Sequence, residues 1–209
     1  MADDAENLIH HWRTFLSHLI GGSPPPHTVS IRKLAQPMDE LLRTTLPDET
    51  VKKYGRIRSA ERQIEWAEAR RAEQEIRRQL GPEALISLSH TAGRVFAIGV
   101  ARGSSRAAGI GIDAESSARV ITSAVYARFA SSAEIALGLK PVQVWVIKEA
   151  CYKANPRNAG TAVSKYRIES YDPGNETGET SSPDGGRIHF SCSKMGQFYV
   201  ALATTLYRD

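Results

Sequence analysis

Between Val144 and Lys153 the chain reads VWVIKEACYK, a helical segment that is apolar on both sides yet carries one carboxylate and two ammonium groups. At about 3.6 residues per turn, Val142, Trp145, Val146, Glu149 and Lys153 fall on one stripe, and Val144, Ile147, Cys151 and Ala154 on the opposite one. A helix with two apolar faces is covered on both, so the fold has to hold this segment between layers. Glu149 then points into protein, where an ionised carboxylate needs a cation or several donors. One explanation is structural, an ion pair with Lys153 one turn on. The other is chemical, a site. The helix alone allows both.

The rest of the chain supplies the layers. Residues 4–20 put Leu8, Ile9, Trp12, Phe15, Leu16, Leu19 and Ile20 at helical spacing. His10, His11 and His18 share that helix and are read as solvated or half-packed rings in preference to a metal site. GGSPPPH is a turn or linker, TVSIRKL a strand, and Pro37 opens a short helix through Leu46. A long helical region runs from Pro47 to Leu80, broken near Gly55 and stopped at Gly81-Pro82. ALISLSH, RVFAIGVAR and AAGIGIDAE follow as three strands.

Ser116 to Ala130 is expected to be helical, and SSAEIALGL carries a capping signature of Ser131 followed by Glu134. Pro141 then opens the doubly apolar helix. TAVSKYRIESYD, GRIHFSCS and QFYVALATTLY read as strands, the first two separated by a polar, Gly-rich loop over 172–186. Helices then strands, twice over, define an α+β chain of two halves with similar content, 1–105 and 106–209.

With 209 residues, 41% hydrophobic and 24% charged, the chain is long enough for a sizeable core and ordinary for a water-soluble globular protein. No apolar run approaches the roughly 20 residues of a membrane span. The opening MADDAENLIHHW has the character of neither a secretory signal nor an Arg-rich transit peptide. Cys151 and Cys192, on a buried helix and a strand, suggest neither a disulfide framework nor a metal knuckle. A cytoplasmic location is the expectation.

The formal charge of +4 is concentrated. Between Lys52 and Arg78, nine basic residues face five glutamates, an excess equal to that of the whole chain. This points to an anionic partner near that segment. A nucleic-acid partner is disfavoured, because aromatic interleaving is missing and glutamates dilute the arginines.

GIGIDAE ends its strand with Asp113 and Glu115 two apart, hence on one face. Two carboxylates beside small glycines suit a hard cation such as Mg²⁺, although taken alone the pair reads more readily as a solvent-facing acidic edge. The same stretch half-matches a dinucleotide-binding turn, but Ala114 stands where the third glycine belongs, so that reading is rejected.

Taken together, the G-I-D-x-E strand and the later W-x-x-K-E-A-x-Y-K helix resemble the 4′-phosphopantetheinyl transferase superfamily. The length resembles its pseudo-dimeric, Sfp-type branch. SLSH, Ser87 to His90, matches that family's Ser-His pair; RQIEWAEAR, Arg62 to Arg70, its basic helix; SSAEIALGL, its glutamate-bearing segment. The likeness covers about residues 56–155. It departs from the family at Val146, usually small and polar, and in the short GPEALI connection before the Ser-His strand.

The resemblance implies two α+β halves related by a pseudo-two-fold, in a monomer. It implies Mg²⁺-dependent transfer of 4′-phosphopantetheine from coenzyme A to a carrier-protein serine in fatty-acid, polyketide or nonribosomal peptide synthesis. Asp113, Glu115 and Glu149 would hold the metal, Glu149 would act as base, and Lys153 would meet the pyrophosphate, with Lys148 a weaker phosphate contact. Arg62, Arg70 and His90 would hold the 3′-phosphate, with Ser89 nearby. A non-catalytic coenzyme A-binding relative and a Mg²⁺-dependent phosphohydrolase are the alternatives.

Overall fold

The computed structural model of the protein describes residues 2–20, 25–33, 59–103 and 106–207. Helix α1 (Ala2–Ile20) and strand β1 (His27–Lys33) precede α2 (Ala60–Leu80), β2 (Leu85–Thr91), β3 (Arg94–Val100) and β4 (Ala107–Ser116). Two short helices, α3 (Ser123–Tyr126) and α4 (Ser132–Ile135), lead into α5 (Pro141–Ala154). Strands β5 (Arg167–Asp172), β6 (Thr177–Ser181), β7 (Arg187–Met195) and β8 (Phe198–Leu206) complete the order. The expected helix over Pro37–Leu46 and the segment from Pro47 to Arg58 lie outside the described residues.

The result is mixed α+β with two antiparallel sheets, ordered β1-β3-β2 and β4-β8-β7-β6-β5. Each buries both faces. Ala69, Ala72 and Ile76 of α2 cover Val95 and Ala97 of the smaller sheet. The opposite face of that sheet, with Phe96, Ile98 and Val100, meets Ile110, Ile112, Val200 and Leu202 of the larger sheet around Leu8, Trp12, Phe15 and Leu16 of α1. The far face of the larger sheet, with Ile188, Phe190, Cys192, Ala201 and Ala203, is covered by α5. Among the described residues no helix is long and apolar enough to cross a membrane.

Local chemistry explains the boundaries. Ser59 caps α2, its hydroxyl accepting from the Arg62 N–H, and Gly81 ends the helix at φ 92. Ser131 and Glu134 form the expected capping box. Pro141 begins α5, where the missing N–H costs nothing. Ala92 and Gly93, both at positive φ, make the two-residue turn between β2 and β3.

Three expectations need correction. Ser116–Ala130 is helical only at Ser123–Tyr126, and that piece buries no residue. Ile121 and Phe129 still pack on the core around α5, from the chain before and after that piece. The 172–186 loop contains β6, whose five residues pair on one side with β5 and on the other with β7. Its sequence TGETS lacks an alternating apolar face, so only pairing reveals it. Thr161–Asp172 is not strand throughout: a 3-10 turn at Val163–Lys165 precedes β5.

Helix α5 lies against β4 at backbone distance because Gly109 and Gly111 lack side chains. A Cβ on Gly111 would strike the Ala150 carbonyl oxygen, and one on Gly109 the Ala154 carbonyl oxygen. Gly111→Ala is therefore expected to destabilise the protein by about 1–3 kcal/mol, the usual cost of overpacking a tight core. Urea denaturation checks this, and a neutral result would mean that α5 is not seated on these glycines.

Candidate active site

The strand places Gly109, Gly111, Asp113 and Glu115 on one face, and α5 crosses it with Ala154 at Gly109 and Ala150 at Gly111. Glu149 and Lys153, one residue before each alanine, are thereby delivered to Asp113. The Lys153 ammonium donates to Asp113 Oδ1 at 2.8 Å and to the Ile112 carbonyl at 2.9 Å. Lys153 thus caps a free-edge carbonyl of β4 while neutralising the adjacent aspartate.

The i,i+4 ion pair between Glu149 and Lys153 does not form; Lys153 belongs to Asp113. Glu149 is half-buried, and among the described residues nothing donates a hydrogen bond to its carboxylate. Burial, and next the charge of Asp113, push its carboxyl above the ordinary range; Lys153 and Arg119 offset this only in part.

Glu115 is differently served. It accepts from Thr91 Oγ1 at 2.7 Å and from the Ser116 N–H at 2.9 Å, and it is ion-paired with Arg119. Burial alone would raise its carboxyl, but these donors outweigh burial and hold it below the ordinary range. The Arg119 guanidinium also lies over the Trp145 ring, 5.6 Å from its centroid. Neither Thr91 nor Arg119 was singled out from sequence. The S-x-S-x-T alternation of β2 was the available signal for the first, and nothing local marks the second.

Ser89 and His90 do not act together. Alternation along β2 sends Ser87, Ser89 and Thr91 toward β4, and His90 the other way toward Glu65 of α2, 3.5 Å from its Nδ1. Ser89 is 5% exposed. Its hydroxyl donates to Asp113 Oδ1 at 2.8 Å and accepts from the Ala114 N–H at 3.2 Å. The expectation of Ser89 near a phosphate on the His90 side is therefore corrected: Ser89 orients a carboxylate.

On α2, Arg62 is exposed in the first turn. Arg70 pairs with Glu73 and lies over the Trp66 ring, 5.9 Å from its centroid, with its Nε buried and without an acceptor among the described residues.

Lys148 is also corrected. It is 1% exposed and its ammonium meets Glu134 Oε1 at 2.7 Å, besides the Phe129 carbonyl. It has no access to a phosphate. Burial lowers Lys148. Burial would raise Glu134, but Lys148 and the Ile168 and Ser131 N–H groups outweigh that and hold it low. The three donors make Glu134 the favoured end of the pair. A hollow of about 450 Å³ bounded by Arg128, Ser131 and Arg167 opens beside it, away from the acidic cluster.

Elsewhere, His11 is half-buried and tied to Ser191 and Ser193. Cys151 and Cys192 are free and buried.

Hard oxygen donors, one of them a half-buried carboxylate raised by burial and next by its acidic neighbour, suit a divalent cation such as Mg²⁺. As they stand, the three carboxylates do not converge: among the described residues no three acidic, His or Cys groups are grouped closely enough to hold a metal. Asp113 and Glu149 interact, while Glu115 is held at Thr91 and Arg119. No protein-family model matches the chain, and no curated protein matches it.

Lys148→Met strands the Glu134 charge in the interior and is expected to cost about 3–5 kcal/mol at neutral pH. In the native protein Glu134 is held low, so its contribution is present above the ordinary carboxylate range and is lost as pH falls through the native value. The stranded Glu134 of the variant takes up a proton earlier. Thermal melts against pH should show the gap between the two proteins narrowing toward acid.

Proposed function

We propose that this protein transfers 4′-phosphopantetheine from coenzyme A to a serine hydroxyl of an acyl or peptidyl carrier protein, releasing adenosine 3′,5′-bisphosphate. The observation that carries the reading is the meeting of Glu149 and Lys153 of α5 with Asp113 of β4, across two glycines that bring helix and strand into backbone contact. The two sheets, each with a long helix on one face, support a pseudo-dimeric arrangement of halves 1–105 and 106–209.

Asp113, Glu149 and Glu115 are the residues that would hold Mg²⁺, which supplies charge neutralisation at a diphosphate. The residues of the chain do the rest. Glu149, half-buried and raised in its proton affinity, takes the proton of the incoming serine. The serine oxygen bonds to the pantetheine-side phosphorus, and the bond from that phosphorus to the adenosine bisphosphate breaks. Lys153, already seated beside Asp113, donates to the departing phosphate oxygen. Such transfer needs positioning and charge more than covalent catalysis.

Arg62, Arg70 and His90 bind the 3′-phosphate of coenzyme A. The buried Nε of Arg70, without an acceptor among the described residues, supports this, since such a donor is unfavourable until an acceptor arrives. The reading makes the protein a cytoplasmic monomer.

Glu149→Gln keeps the size of the side chain and removes both charge and basicity. Pantetheinylation of a carrier serine, followed by mass spectrometry, should fall about 10²–10⁴-fold. The melt should move the other way at neutral pH. A carboxyl raised in the folded state loses stability as pH rises through its native value, so Gln is stabilising above that window and neutral well below it. A folded variant with near-normal transfer would overturn the proposal. Coenzyme A bound without transfer would favour a binding relative, and phosphate release without an acceptor would favour a hydrolase.

For the other end of the coenzyme, Arg70→Ala should weaken binding of coenzyme A by about 1.5–3 kcal/mol. It should leave 3′-dephospho-coenzyme A nearly unaffected. Calorimetry with both ligands separates the two, and equal losses would remove Arg70 from the 3′-phosphate.

A further inference from the structure

Three carboxylates, Asp113, Glu115 and Glu149, stand near two cations, Lys153 and Arg119. One negative charge is left over. Glu149 is the carboxylate with no hydrogen-bond donor among the described residues, whereas Asp113 and Glu115 each have several. Replacing the single charge of Arg119 with a divalent ion would balance the cluster, whereas adding that ion beside Arg119 would overshoot.

Arg119 is placed to be exchanged. It lies in the turn that follows β4, outside helix and strand, and its side chain is 43% exposed. Its guanidinium is held by Glu115 on one side and by the face of Trp145 on the other. Trp145 is on α5, one turn before Glu149, so the arginine bridges the strand and the helix that carry the acidic groups. Lys153 has no such freedom, because it also holds the Ile112 carbonyl.

Resting on the reading above, we propose that Arg119 is the resident counter-ion of this site. It occupies Glu115 when no metal is bound, and a divalent cation must displace it before all three carboxylates can be shared. Arg119 thus sets the metal affinity without touching the metal. Removing it should strengthen metal binding, the opposite of the effect expected for a ligand or a packing residue.

The test titrates Mg²⁺ alone by calorimetry into the full chain. Arg119→Gln should bind Mg²⁺ about three- to tenfold more tightly than the wild type, the weight of a partly exposed charged contact. Arg119→Lys, which restores the charge, should return toward the wild-type value. Arg157→Gln, which removes the same charge beside Asp184, should leave the affinity unchanged. In the wild type, Mg²⁺ should also alter the Trp145 emission as the guanidinium leaves the ring, and Arg119→Gln should lose that change. A Trp145→Phe protein identifies the signal among the three tryptophans. Equal or weaker Mg²⁺ affinity in Arg119→Gln would overturn the counter-ion role and leave the transferase reading standing. Failure of both proteins to bind Mg²⁺ would overturn both.

Discussion

The backbone contact between α5 and β4 is the constraint on which the rest depends. Gly109 and Gly111 allow the helix to lie so low that its Ala150 and Ala154 carbonyls occupy the space of two side chains. A helix one side chain further away would leave Glu149 and Lys153 above the strand, and Lys153 could not reach both Asp113 and the Ile112 carbonyl. The glycines therefore act at a distance from the chemistry. They carry no functional group, yet they fix the separation at which the charged groups meet.

The same helix carries a second, unrelated set of charges. Lys148 turns away from the acidic cluster and closes on Glu134, which also caps α4 and accepts the Ile168 N–H. One carboxylate so ties α4, α5 and β5 together. The two lysines of this helix differ in environment: Lys148 is sealed, whereas Lys153 keeps 28% of its side chain exposed. Only the exposed one retains access to a ligand. A charge inside a doubly apolar helix is thus not by itself a sign of chemistry. Accessibility distinguishes the two roles, since each ammonium meets one carboxylate and one carbonyl.

Much of this was legible in the sequence, for reasons that can be named. Helix α5 and strands β2, β3, β4, β7 and β8 have strong apolar content at their proper periods, and the caps at Ser131 and Pro141 are local chemistry. The co-facing of Asp113 and Glu115 follows from the strand period. The acceptor that Lys153 would choose did not follow, because Glu149 is four residues away in sequence and Asp113 forty in the contact. Strand β6 escaped because its burial comes from neighbours on both sides and not from its own residues. The Ser-His pair read as one unit in a linear motif, whereas a strand sends adjacent residues to opposite faces. Arg119 was invisible for the same reason in reverse: its partners, Glu115 and Trp145, lie on different elements.

The serines of β2 add a further layer to the site. Ser87 and Ser89 accept from the Ile112 and Ala114 N–H groups, which lie on the free edge of β4 and would otherwise be open to pairing with another strand. Ser89 in turn donates a hydrogen bond to Asp113, and Thr91 donates one to Glu115. The hydroxyls that join the two sheets are therefore also the hydroxyls that orient the acidic residues. Asp113 is held by β2 from the smaller sheet and by α5 from the larger, so its orientation belongs to the junction and to neither sheet alone. An arrangement of this kind couples the integrity of the fold to the geometry of the site. A slip of β2 against β4 by one residue would bring Leu88 and His90 in place of the hydroxyls, and would leave both edge N–H groups without their acceptors and both carboxylates without their hydroxyl donors at the same time.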